Sequence, residues 1–77
     1  MISKKARTEI AMIVNGIVVA ASTRREADLD AESKHEWFLR ECRLEVELAD
    51  KFGIELPGLE HSRAILKFDA LMNSAAA

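Results

Sequence analysis

The longest apolar run in this chain is Ile10–Ala21, IAMIVNGIVVAA, and everything else has to cover it. The segments on either side are charged or strictly amphipathic. As a helix over about 5–22, the run places Ile10, Ile13, Val14, Ile17, Val18 and Ala21 at i, i+3, i+4 spacing on one broad face. Gly16 and Ala20 then lie one turn apart and permit a close helix approach. The competing structure is a β-hairpin, with strands 9–14 and 17–22 around an Asn15-Gly16 turn. Local propensity supports the hairpin, because glycine costs about 1 kcal/mol inside a helix. Context supports the helix. A lone two-stranded hairpin is marginal, Ala11, Ala20 and Ala21 are poor strand residues, and no further strand is evident. The expectation is a mainly α fold of three helices, about 5–22, 29–52 and 59–75, in one domain spanning 1–77. The alternative is the N-terminal hairpin followed by two helices.

The basic start and short apolar run also imitate a secretory signal peptide. Glu9 at its border and Asn15-Gly16 within it argue against that reading. A run of about a dozen apolar residues is short of the roughly 20 that span a membrane.

The second helix carries strong helix formers from Asp30 to Phe52, with Asp28 or Asp30 as N-cap and Gly53 at the stop position. Glu36–Arg40, Arg43–Glu47 and Glu47–Lys51 are i, i+4 pairs on a solvent face. The opposite side shows two apolar stripes. Phe38, Cys42, Val46 and Ala49, flanked by Leu39, form one; Trp37, Leu44, Leu48 and Phe52 form the other, with Glu41 and Glu45 between them. Two stripes suggest two contacts, one inside the chain and one with a partner. Trp37, Leu44, Leu48 and Phe52 are therefore expected as apolar anchors, with Glu41 and Glu45 as the polar seam.

After a turn at 53–58, a third helix places Ala64, Ile65, Phe68, Leu71 and Met72 on one face. The segment 46–68 resembles helix–turn–helix spacing, with Ala49 four residues before Gly53 and then apolar Ile54 and Leu59. On that alternative, His61, Ser62, Arg63 and Lys67 would meet DNA. Ser62 stands where a core residue is expected, and Glu55 and Glu60 would repel phosphate.

The composition supports binding rather than chemistry. Eleven basic and 13 acidic residues give a net charge of −2, so nothing pulls the chain strongly toward nucleic acid or an anionic membrane. Cys42 is the only cysteine, and with His35 and His61 it makes no recognisable metal spacing. No nucleophile–base pair or phosphate loop is present, so no enzyme, cofactor, metal or small-molecule substrate is expected. A chain of 77 residues is near the lower size limit for an unaided core. The sequence reading is a small non-enzymatic cytoplasmic module that binds a protein partner, self-associates, and acts as a stoichiometric regulator or inhibitor of a larger protein. A phage or other mobile element would be a fitting source.

Overall fold

The computed structural model describes residues 2–76, so Met1 and Ala77 lie outside the described residues. It consists of three helices: α1 (Lys4–Thr23), α2 (Ala31–Phe52) and α3 (Leu59–Ala76). The described residues contain no strand. The hairpin alternative is thereby overturned: Asn15 and Gly16 lie in the middle of α1.

The reason is visible at Gly16. A Cβ built on this residue would stand 2.9 Å from Leu44 Cδ1 of α2. The missing side chain is what lets the two backbones come close, and Ala20, one turn on, is completely buried. Burial along α1 therefore outweighs the local cost of glycine and of the β-branched residues.

Side chains cap the first two helices. Ser3 Oγ accepts a hydrogen bond from the Ala6 N–H at 3.1 Å and opens α1. Asp30 is the N-cap of α2 and accepts from the Ser33 N–H at 2.7 Å, which holds its carboxyl below the usual range. Gly53, at φ 69°, adopts the left-handed conformation that ends α2, and its N–H bonds to the Ala49 carbonyl.

Helix α2 is the middle of the fold. Both α1 and α3 pack on it, and among the described residues they make no contact with each other. On the α2 wheel, Trp37, Leu44 and Lys51 turn toward α1, whereas His35, Cys42 and Asp50 turn toward α3. At about 100° per residue these two sets lie on nearly opposite sides of the helix. The result is an open row of three helices rather than a closed bundle, 44 × 29 × 21 Å across.

The openness is measurable. The radius of gyration is 13.9 Å, against about 11.5 Å for a compact domain of this length. The chain exposes 5749 Å², against about 4,700 Å² for a compact monomer of this mass. The buried apolar core is correspondingly thin: Ile13, Ala20, Leu39, Cys42, Leu48 and Leu59. No helix among the described residues is long and apolar enough to cross a membrane.

The Gly16 contact predicts a size series. Gly16→Ala gains about 1 kcal/mol of helix propensity and asks only the mobile end of Leu44 to move, so its stability should stay within about 1 kcal/mol of the original. Gly16→Leu should cost roughly 2 kcal/mol or more by forcing α1 off α2. Urea denaturation followed by circular dichroism measures both.

Candidate functional site

Of the six residues expected to dock a partner, several are occupied inside the chain. Leu48 is 1 % exposed and sits in the core. Leu44 lies under Gly16. Trp37 is half-buried beside α1, lining a shallow hollow with Asn15, Val19 and Leu44, and the Arg40 guanidinium rests over its ring at 5.3 Å. Phe52 is half-buried near the end of α2. The stripe expected to face outward is thus largely covered by α1, and the other stripe is covered by α3.

Glu41 and Glu45, one turn apart on α2, are held in opposite directions. Arg24 Nε, just past the end of α1, donates to Glu41 Oε1 at 2.7 Å. Its guanidinium also lies over the Phe38 ring at 5.1 Å. Ser62 Oγ, in the first turns of α3, donates to Glu45 Oε2 at 2.6 Å. Each carboxylate therefore finds its partner 17 residues away along the chain. The seam fixes the outer helices to the central one.

The residues of the helix–turn–helix alternative are divided by the same packing. Ser62 is 5 % exposed and turned into the protein, because it serves Glu45. Arg63 is engaged with Asp50 at 2.7 Å, and that contact raises its pKa. His61 and Lys67 are exposed, with His61 on the edge of a groove. Half of the expected DNA-reading set is therefore committed to holding α3 on α2.

Cys42 is 2 % exposed, and burial pushes its thiol pKa up. The nearby Glu45 and Glu41 charges add to the rise, while the Ser62 hydrogen bond and Arg24 act against it. It behaves as a small core hydrophobe rather than a nucleophile. Among the described residues no three His, Cys, Asp or Glu side chains converge on a metal-sized site. His35 Nε2 and Asp69 Oδ1 stand 3.9 Å apart at the surface.

Helical periodicity places Ala64, Ile65, Phe68, Leu71 and Met72 on one apolar face of the third helix but carries no sign of which way that face points. In the fold, Leu59 and Ser62 are the buried residues of α3. Phe68 is 64 % and Met72 54 % exposed, with Leu71 exposed as well. Between α2 and α3 this leaves an apolar groove of about 430 Å³, lined chiefly by Phe38, Ile65, Phe68 and Met72 and edged by His35, His61 and Asp69. The polar Ser62 inside α3 was the available clue, since its partner had to be a polar group of α2.

The apolar surface continues on α1. Met12 and Val19 lie toward Arg40 and Lys51 of α2. Val14 and Val18, on the opposite flank of α1, therefore face the side of the row on which Phe38 and Phe68 open. Val18 is 57 % exposed. One broad side of the row is thus apolar, with the two satisfied carboxylates along its middle. The other side carries Glu36, Arg43, Glu47 and Asp50 of α2 together with the exposed Met12 and Val19 of α1. No known protein family, curated protein or solved structure matches this chain.

Removing the α3 partner should expose the cost of the seam. Ser62→Ala should destabilise by about 1–2 kcal/mol, because the Glu45 carboxylate loses its hydrogen bond while half-buried. In a Glu45→Leu background the same change should cost little, and urea denaturation of the four proteins gives the coupling directly. Cys42 should react with a thiol reagent only as fast as the chain opens, and immediately in denaturant; rapid labelling under native conditions would contradict its burial.

Proposed function

We propose that this chain is a non-catalytic protein-binding module that presents the apolar side of its helical row to a protein partner and regulates that partner by covering part of its surface. The observation that carries the reading is the unclosed row itself. Its surface exceeds that of a compact monomer by roughly 1,000 Å², and the excess includes Phe68, Leu71, Met72, Val14 and Val18. Exposed apolar surface of this extent on a small chain marks a contact surface. A partner's amphipathic helix laid in the α2–α3 groove would bury Phe68 and Met72 against Phe38. The reading includes self-association. A cytoplasmic setting suits the single cysteine.

Mechanism follows from packing and not from bond-making. Glu41 is paired with the Arg24 guanidinium, so it can be desolvated without stranding its charge, whereas Glu45 holds one hydrogen bond from the neutral Ser62 hydroxyl and would take a further donor from the partner. A protein partner would add apolar contact on both sides of this carboxylate strip and a donor to the Glu45 carboxylate. The regulatory effect would be occlusion, in proportion to the amount of chain present.

The double substitution Phe68→Asp with Met72→Asp tests this. Both residues are exposed, so helix content should be unchanged and stability should move by no more than about 1 kcal/mol. Recovery of partner protein on the tagged double variant should fall to background, compared with the unsubstituted chain as bait in the cells that make it. Equal recovery on both baits would remove the groove as the docking site.

A further inference from the structure

We infer that the protein seated on the apolar side is a second copy of this chain, stacked antiparallel about a two-fold axis; this rests on the protein-binding reading above. Three observations point to it. The first is area. The whole-chain surplus of roughly 1,000 Å², to which Met12 and Val19 on the opposite side also contribute, is on the order of what one partner gives up in a standard protein–protein interface, about 800 Å². Two rows placed face to face would convert two thin cores into one shared core of six helices.

The second is a charge pattern that a single chain leaves unresolved. Lys4, Lys5 and Arg7 occupy the first turn or so of α1, where no acidic residue accompanies them. Cations there oppose the helix macrodipole. All three are exposed, and none forms an ion pair among the described residues. The opposite end of α1 leads into the connection that carries Glu26, Asp28 and Asp30, followed by Glu32; of its two cations, Arg24 is engaged by Glu41, which leaves Arg25 beside them. A helix of 20 residues separates the two charge groups by roughly 30 Å.

The third is the symmetry that relates the first two. A two-fold axis through the middle of the apolar side runs α1 of one copy against the reversed direction of the other. The basic turn of each copy then comes to the acidic connection of its partner, and both ends are matched at once. A two-fold parallel to the helices would instead lay α1 of each copy on α3 of the other, and the basic turn would not reach the acidic connection. The apolar residues supply the adhesion, and the charged ends fix the direction.

Two charge-reversed variants test the arrangement. The first carries Lys4→Glu, Lys5→Glu and Arg7→Glu; the second carries Glu26→Lys and Asp28→Lys. Light scattering of the unsubstituted chain should give the mass of two chains, with dissociation rising as salt is added. Each variant alone should dimerise more weakly by roughly tenfold or more. The first variant should keep or gain helix content, because carboxylates suit the α1 N-terminus, so its weaker dimer cannot be blamed on unfolding. An equimolar mixture of the two should recover the original tightness, since unlike ends again meet at both positions.

A chain that stays monomeric across the concentration range overturns the inference. So does a dimer indifferent to both charge reversals, or a mixture no tighter than either variant alone. Monomers that sediment with anionic phosphatidylserine vesicles would assign the basic turn to a membrane surface and overturn it as well. The parent reading fails separately. Should the chain be monomeric while the Phe68→Asp, Met72→Asp bait still loses a captured protein, the second copy is excluded and protein binding stands.

Discussion

The fold depends on α2 being covered from two nearly opposite sides by helices that do not meet. This places unusual demands on one helix. It must offer apolar surface to α1 through Trp37 and Leu44, and to α3 around Cys42, while keeping a charged back toward solvent. The two carboxylates along the remaining side would be expensive if left bare beside Leu48 and Phe38. Arg24 pairs the first charge, Ser62 gives the second a hydrogen bond, and together they define where each outer helix sits. A polar pair surrounded by apolar neighbours contributes orientation more than adhesion, since hydrophobic packing alone would let α1 and α3 slide along α2.

The three helices were legible from sequence because their signals agree with one another. Asp30, one of the two caps the pattern offers, opens α2, and Gly53 ends it with a left-handed backbone at the expected stop position. Each observed helix begins and ends within two residues of its expected bounds. Asn15-Gly16 was the ambiguous point. The pair has the chemistry of a tight turn, and only the tertiary position of Leu44 shows why a glycine is needed in a helix there. Such a contact joins residues 28 apart in the chain and leaves no local trace.

The exposed apolar face was less legible, for a physical reason. Helical periodicity tells which residues share a face, but not whether that face is used by the chain itself. The two stripes of α2 were visible, yet α1 and α3 occupy both. The face of α3 that carries Phe68 and Met72 was visible as well, yet it points away from the core because Ser62 takes the inward position. Choosing between them requires the balance between a buried hydroxyl bonded to a carboxylate and a larger apolar area left open. A wheel diagram of one helix does not contain that balance.

The absence of contact between α1 and α3 also governs how the chain comes together. Among the described residues every contact between helices joins sequence neighbours, so no long loop has to close before packing begins. Topologies of this kind have low contact order and fold in microseconds to milliseconds. They also resemble a short stack of repeats, in which stability is a sum over adjacent interfaces. In the isolated chain α3 can lift from α2 without disturbing the α1–α2 pair, which makes it a separate unit of local opening. The segment that carries Phe68 and Met72 is therefore free to be remodelled on contact, while the other two helices hold their register.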